Sequence, residues 1–192
     1  MNIQIVSEDT PNDIIEAAYQ IHSESQFSPW KLTTFADCFT APYYGLLAFK
    51  NEQVIGYAIV LEVLDEATLM DIAVTSIERG KGSGNQLLNK VIELSFDHNM
   101  NEIWLEVRAS NSNAIALYEA NHFQHIETRK NYYPTPSGKE DAFIMKPMNC
   151  PHHMQIFADN QFSYRDMPVR YFEPATIYRD EKSGQLSGLT RV

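Results

Sequence analysis

A glycine-rich segment between a strand-like run and a helix-like run constrains the fold of this chain more than any other feature. The apolar run 69–74 predicts a strand, and the periodic apolar residues of 83–97 predict a helix. Between them, residues 79–84 read Arg-Gly-Lys-Gly-Ser-Gly. Glycines let backbone amides approach a phosphate closely, and a helix N-terminus adds positive potential. The segment predicts a pyrophosphate-binding loop, with a flexible strand-to-helix connection as the alternative.

The loop differs from the two commonest phosphate-binding motifs. It lacks the Gly-x-Gly-x-x-Gly order with a downstream acid that is typical of dinucleotide-binding folds. It also lacks the Gly-Lys-Ser/Thr ending of a P-loop. Neither of these two nucleotide-binding classes is therefore indicated.

Apolar periodicity and turn residues predict the other elements of an α+β fold. Thr10 and Pro11 predict the N-cap and first residue of a helix over about 11–23, and a second helix is expected around 31–39. Two apolar runs flank the polar turn 50–53 and predict a β-hairpin. Further strands are predicted at 103–107, 123–132 and 141–146, and a short helix at 113–120. This order predicts a central mixed, mostly antiparallel sheet flanked by helices.

The charge of the chain argues against nucleic acid as its main ligand. Its 192 residues contain 15 Lys and Arg and 25 Asp and Glu, which gives a net charge of −10. Residues 1–146 hold 10 basic and 20 acidic residues, whereas residues 147–192 hold 5 of each. The acidic front part favours a basic partner and disfavours nonspecific phosphate binding.

Neither a membrane segment nor a disulfide framework is expected. The longest nearly apolar run, 54–64, is too short to span a bilayer, and acidic residues at 8, 9 and 13 stand where a signal peptide carries cations. Cys38 and Cys150 are the only cysteines and are far apart. We expect a cytosolic monomer. His152 and His153 beside Cys150 do not make a metal site by themselves, and no bound metal is expected.

Several further segments resemble the GNAT acetyltransferase superfamily. Arg79, Gly82 and Gly84 match its Arg/Gln-x-x-Gly-x-Gly/Ala motif. A longer resemblance, to the RimI-type ribosomal-protein alanine N-acetyltransferases, covers about 1–146. It is carried by the segments 64–69, 72–74, 104–111, 114–119, 131–134 and 138–142.

The resemblance implies acetyl-CoA as the co-substrate and a set of site residues. Glu106 matches the family's general base, and Tyr118 matches its general acid. An α-amino group has a pKa of about 7.7–8.0, so a modest base suffices to remove its proton near neutral pH. The cofactor-binding residues implied are Ile72, Ala73 and Val74 for the pantetheine arm, Arg79, Gly80, Lys81, Gly82, Ser83, Gly84 and Asn85 for the pyrophosphate, and Asn111.

The C-terminal segment resembles a different family. Residues 146–151, 164–166, 178–184 and 188–192 resemble the class II catalytic domain of threonyl-tRNA synthetase around its second motif. The domain boundaries expected are 1–146 for the acetyltransferase domain and 147–192 for an incomplete synthetase fragment that is not an independent fold. The family's first and third motifs are missing, so we expect no aminoacylation.

Three functions follow as hypotheses. The first is acetylation of the N-terminal alanine of a basic ribosomal protein, the eighteenth of the small subunit. The second is acetylation of other protein N-termini or of lysines. The third, from another class, is a synthetase-like module that binds tRNA, ATP or threonine without aminoacylation.

Two local questions stay open in the sequence. Trp30, Tyr132 and Tyr133 line either a peptide groove or the core. His122 stands where the family usually has a glycine in the left-handed conformation after a helix, and Asn121 is the other residue that could adopt it.

Overall fold

Seven strands form one sheet in the order β1-β2-β3-β4-β5-β7-β6. The structure is a computed structural model that describes residues 1–7 and 9–147. The strands are β1 (Asn2–Ile5), β2 (Tyr43–Lys50), β3 (Gln53–Val63), β4 (Glu66–Val74), β5 (Glu102–Arg108), β6 (Phe123–Thr135) and β7 (Gly138–Pro147). The described residues also form four α-helices, α1 (Asn12–Ser25), α2 (Leu32–Asp37), α3 (Ser83–Asp97) and α4 (Ser112–Ala120), with a 3₁₀ turn at Ser76–Glu78.

Strands β2 and β3 lie at the centre of the fold and are covered on both faces. Both read as nearly continuous apolar runs, as expected for strands without a solvent face. They pair antiparallel, and Asn51 and Glu52 in the turn have φ values of 50° and 64°. Positive φ at both central positions suits a two-residue hairpin turn. The predicted hairpin is confirmed.

Alternate side chains of the central strands enter two separate hydrophobic clusters. Leu47 and Tyr57 pack with Ala18 of α1 and Phe35 of α2. Their chain neighbours point the other way, because successive side chains of a strand face opposite sides of the sheet. Leu46, for example, joins the cluster formed with α3 and α4. The sheet therefore separates an α1/α2 face from an α3/α4 face, and the predicted mixed sheet flanked by helices is confirmed.

Strands β4 and β5 form the one parallel pair among the described strands, and their pairing is short. It runs from Glu66 opposite Glu102 to Leu69 opposite Leu105. At the same point the pairing of β4 with β3 shifts, because Val60 lies opposite Leu69 whereas Ile59 lies opposite Asp71. Met70 is thus an extra residue, a β-bulge, which bends a strand. Beyond the bulge β4 and β5 separate.

Two helix boundaries differ from those predicted from the sequence, and one open alternative is decided by the structure. Pro11, not Thr10, is the N-cap of α1, since the Thr10 hydroxyl accepts a hydrogen bond from the Ser7 amide at 3.0 Å. Helix α2 ends at Asp37, two residues before the predicted end. His122 adopts the left-handed conformation after α4, with φ of 67°, and Asn121 does not.

The segment 148–192, with Cys150, His152 and His153, lies outside the described residues. The contacts of the chain group Met1–Pro147 into one compact unit. None of the helices described in that unit is long and apolar enough to cross a bilayer. The expected cytosolic location and monomeric state stay predictions.

Candidate active site

A cavity of about 520 Å³ lies where β4 and β5 separate. Residues 69–74 of β4 and 106–108 of β5 form two of its walls. Because pairing between these strands ends at Leu69 and Leu105, the sheet has a gap at this point. The bulge at Met70 therefore positions the site.

The cavity is lined from both faces of the sheet. Gly84 of α3 and Leu117 of α4 line it on one side. His22 and Gln26 of α1, with Trp30 from the α1–α2 connection, line it on the other. A site of this form can hold two substrates that approach from opposite faces and meet in the gap.

The main chain of β4 beyond the bulge offers a free edge to the cavity. Ile72, Ala73 and Val74 pair with Ala58, Tyr57 and Gly56 of β3 along one edge. Within the described chain, their other edge has no strand partner. An amide-containing ligand can hydrogen-bond there as an added strand does. This edge fits the pantetheine arm expected from the resemblance.

The glycine loop joins this wall to α3. Gly80 and Gly82 have φ values of 71° and 84°, and Gly82 is the N-cap of α3. No atom lies within 4 Å of the position that a Cβ would take at either glycine, so backbone conformation alone selects glycine there. The first helical hydrogen bond runs from the Gln86 amide to the Gly82 carbonyl, at 3.0 Å. The amides before Gln86 can therefore bind an anion.

The buried carboxylate of Glu78 bonds to residues of the glycine loop. Glu78 accepts hydrogen bonds from Lys50 Nζ at 2.9 Å and from Ser83 Oγ at 3.3 Å, and Lys81 Nζ lies 3.6 Å from its Oε1. The hydrogen bond from Lys50 lowers the pKa of Glu78, against the opposing effect of burial. The carboxylate thus holds two ammonium groups beside the predicted pyrophosphate position.

Glu106 projects from β5 into the cavity and is paired with a cation. Its Oε1 lies 2.6 Å from Nη1 of Arg129 on β6. Tyr133 Oη lies 3.4 Å from the Glu106 carbonyl oxygen, and the Arg108 guanidinium lies 4.5 Å from the centre of the Tyr133 ring. The Glu106 side chain is 27% exposed, so a substrate or a water molecule can reach it.

Tyr118 lies on the α3/α4 side of the same cavity. Its ring is buried and packs against Phe123 at 5.9 Å. Burial raises the pKa of Tyr118. Electrostatic interactions with Asp71 and Tyr133 raise it further. No hydrogen bond to the Tyr118 hydroxyl occurs within residues 1–7 and 9–147. The hydroxyl is thus a neutral proton donor that is available to a ligand.

The predicted site residues divide into two groups. The cavity brings together Ile72, Ala73, Val74, Gly84, Glu106, Asn111 and Tyr118. The other loop residues do not line it: Arg79, Gly80, Lys81, Gly82, Ser83 and Asn85. Ser83 turns onto Glu78, and the Asn85 amide oxygen accepts a hydrogen bond from Asn121 at 2.8 Å. Asn111 caps α4 by accepting from the Ala114 amide at 3.2 Å.

Several residues of the site were not predicted from the sequence. His22, Gln26 and Asp71 line the cavity on the α1 side, and Arg129 pairs with Glu106. A lone histidine on the apolar face of α1 and a lone aspartate within β4 were the available signals. Trp30 and Tyr133 both line the cavity, which favours the groove over the core as their setting.

Two family models match the chain. The acetyltransferase (GNAT) family matches residues 12–123, and the tRNA synthetase class II core domain (G, H, P, S and T) matches residues 133–192. The second match begins within β6, upstream of the boundary predicted from the sequence.

Relatives of both kinds are found. The chain is 42% identical over 131 residues to the [ribosomal protein bS18]-alanine N-acetyltransferase of Escherichia coli K12, which covers 68% of this chain and 88% of that protein. It is 36% identical over 129 residues to the threonine–tRNA ligase of Thermoplasma volcanium, over 64% of this chain but only 19% of the ligase.

Solved structures agree with the first relationship. The ribosomal-protein-S18-alanine N-acetyltransferase of Escherichia coli superposes with a TM-score of 0.69 at 40% identity, over 76% of this chain and 93% of that chain. Ard1 of Thermoplasma volcanium shares the fold, with a TM-score of 0.65 at 24% identity.

Replacing Gly82 by alanine should weaken coenzyme A binding. A left-handed alanine costs roughly 1–2 kcal/mol, so the free loop will relax away from this conformation and binding must restore it. We expect the dissociation constant, measured by calorimetry, to rise roughly fivefold or more. Gly138→Ala is the matched control, because Gly138 also has a positive φ, of 146°, but lies at the start of β7 and not in the glycine loop. Equal affinity for wild type and Gly82→Ala would contradict the assignment of the loop.

Proposed function

The chain belongs to the acetyltransferase (GNAT) family, and on that premise we propose that it transfers the acetyl group of acetyl-CoA to the N-terminal alanine of ribosomal protein bS18. The observation that carries the proposal is the 42% identity to the bS18-alanine N-acetyltransferase over 88% of that protein. The cavity supports it, since acetyl donor and protein N-terminus can meet in the gap between β4 and β5.

The α3/α4 side of the cavity would bind acetyl-CoA. The free edge of Ile72, Ala73 and Val74 would pair with the pantetheine arm, and the amides of the loop 79–85 would bind the pyrophosphate. Asn111 retains its amide nitrogen as a donor beside the same wall. Acetyl-CoA supplies a thioester whose acetyl carbon is open to attack by an amine.

Glu106 would remove the proton of the substrate amine. Its carboxylate lies in the cavity, close to the end of the paired region of β5, and is reachable directly or through a water molecule. Arg129 pairs with Oε1 of Glu106, and the Tyr132 hydroxyl also hydrogen-bonds to this carboxylate, which raises the pKa of Tyr132. Arg129 therefore orients the carboxylate toward the gap.

Tyr118 would protonate the departing thiolate. Tyr118 lines the cavity from α4, and its hydroxyl has no hydrogen-bond partner in the described chain. A tyrosine hydroxyl is already protonated at neutral pH, and the raised pKa of Tyr118 keeps it protonated into the alkaline range. Glu106 would take one proton from the ammonium and pass it to solvent, and the nitrogen would lose its second proton as the amide forms. Tyr118 would protonate the sulfur as the thioester bond breaks and regain its proton from solvent.

The acidic front part suits the proposed substrate. Residues 1–146 carry 10 basic and 20 acidic side chains, so a basic ribosomal-protein N-terminus is attracted to this domain.

We infer that residues 1–146 carry the acetyl transfer and that residues 147–192, which resemble part of a synthetase core, do not aminoacylate. Strand β7, the last strand of the acetyltransferase sheet in the described chain, ends at Pro147.

A peptide panel tests the proposed function. We expect acetylation of a basic peptide that begins with the bS18 alanine, because its α-amine has a pKa of about 8 and is easily deprotonated. The same peptide with a blocked N-terminus and an internal lysine should give no product by mass spectrometry. Acetylation of lysine alone would contradict the proposal.

The same peptide assay compares two matched variants of the enzyme. Glu106→Gln should lower kcat by about 100-fold or more, as expected for loss of a general base, with coenzyme A affinity changed less than about twofold. Glu119→Gln makes the same chemical change on the exposed surface of α4 and should keep wild-type kcat. Wild-type turnover in Glu106→Gln would remove Glu106 as the base.

The raised pKa of Tyr118 predicts a flat alkaline profile. An ordinary tyrosine loses its proton near pH 10, and a raised pKa keeps the hydroxyl protonated beyond that value. At saturating substrates, kcat should hold its plateau up to about pH 10, and Tyr118→Phe should lower it at every pH. A decline of the wild-type kcat between about pH 8 and 10 that Tyr118→Phe abolishes would contradict this role.

Ligand-induced thermal shifts separate the two family resemblances. Acetyl-CoA at 100 times its dissociation constant adds about 2.7 kcal/mol to the free energy of unfolding, so the Tm should rise by several degrees. ATP with threonine should leave the Tm unchanged. A shift with ATP and threonine but none with acetyl-CoA would favour the synthetase-like hypothesis.

A further inference from the structure

A buried carboxylate lies on the α1 side of the cavity, where no catalytic role has been assigned. Asp71 follows the bulge residue Met70 in β4, lines the cavity, and its side chain is only 9% exposed. When the coenzyme occupies the α3/α4 side of the cavity, Asp71 lies on the side that is left for the acceptor.

Three side chains donate hydrogen bonds to this carboxylate. Oδ2 accepts from Tyr57 Oη at 2.6 Å and from His22 Nδ1 at 2.8 Å, and Oδ1 accepts from Gln26 Nε2 at 3.0 Å. The carboxylate is therefore fixed in position. Oδ1 has one protein donor and keeps room for another.

None of these donors brings a positive charge. The Trp30 amide donates to His22 Nε2 at 2.9 Å, so Nε2 is the unprotonated nitrogen and Nδ1 carries the single ring proton. His22 is thus a neutral imidazole that donates to Asp71. Tyrosine and glutamine are neutral donors as well.

The two carboxylates of the cavity differ in their counter-ions. Glu106 is paired with Arg129 at 2.6 Å. In the chain from Met1 to Pro147, apart from residue 8, no lysine or arginine forms an ion pair with Asp71. A buried negative charge without a cation is costly, and a cationic ligand relieves that cost.

We propose that Asp71 is the binding site for the protonated N-terminal amine of the acceptor, held in place by His22, Tyr57 and Gln26. The inference rests on the proposed function, because it needs an amine acceptor on this side of the gap. The position suits the reaction, since Asp71 lines the same gap as Glu106 and Tyr118. The negative charge of Asp71 also raises the pKa of Tyr118 and of Tyr133, so its electrostatic effect reaches the other residues that line the cavity.

Asp71 would act on binding rather than on the chemical step. The ammonium is present before proton removal, and the amine would keep a hydrogen bond to Asp71 after its proton passes to Glu106, so Asp71 would stabilise the acceptor equally before and during the chemical step. Loss of such an interaction raises KM for the acceptor and leaves kcat nearly unchanged. Loss of a base lowers kcat, which makes the two carboxylates separable by kinetics.

The first experiment uses Asp71→Asn, which keeps the shape and removes the charge. The asparagine oxygen can still accept from His22 and Tyr57, and the Gln26 amide can reverse to accept from the new NH₂ group. We expect KM for the alanine peptide to rise about tenfold or more, with kcat within about threefold and coenzyme A affinity unchanged. Asp97→Asn, on the exposed end of α3, makes the same change in net charge and should keep the wild-type KM.

The second experiment begins with a comparison in wild type that does not depend on the folding of Asp71→Asn. With coenzyme A bound, wild type should bind the alanine peptide about tenfold more tightly than a peptide in which hydrogen replaces the N-terminal amine. Asp71→Asn should lose this preference. Equal wild-type affinity for both peptides, or an unchanged KM in Asp71→Asn, overturns the inference while the acetylation itself stands. Failure of wild type to acetylate any peptide N-terminus is the distinct result that overturns the proposed function, and the inference with it.

Discussion

The interrupted pairing between β4 and β5 is the constraint on which the rest of the site depends. Four residue pairs join the two strands, and the bulge at Met70 then turns β4 away. The gap leaves main-chain groups of β4 free for a ligand in the middle of a sheet that is otherwise paired. It also connects the two helical layers, so that α3 and α4 can serve one substrate while α1 serves the other.

The charged groups at the two ends of the cavity suit two different ligands. Near the glycine loop, the buried Glu78 holds the ammonium groups of Lys50 and Lys81 beside amides that can bind phosphate. At the far end, Asp71 is buried among neutral donors, which suits a cationic amine. Tyr118 lies in the same cavity with its hydroxyl kept neutral by burial. An anionic coenzyme and a cationic acceptor therefore have different ends of one cavity to occupy.

Local patterns predicted the parts of the fold that local physics determines. The hairpin, the glycine loop and α3 were predicted because turn residues and apolar periodicity specify them directly. Strand β1 was not predicted, because its alternation of polar and apolar residues covers only four positions and those residues are mostly exposed. The His22–Asp71 contact joins residues 49 positions apart, so it depends on the packing of α1 on the sheet. Glu106 and Tyr118 came from family resemblance; they line one cavity, and their catalytic roles stay predictions.

Whether the two substrates meet in the gap can be decided by a crystal structure with a bisubstrate ligand, in which coenzyme A is joined through an acetyl group to the amine of an alanine peptide. We expect the linkage to lie in the gap between Ile72 and Glu106, with the coenzyme on the α3/α4 side and the peptide on the α1 side. A ligand bound entirely on one face of the sheet, or a gap closed by renewed pairing of β4 with β5, would contradict it.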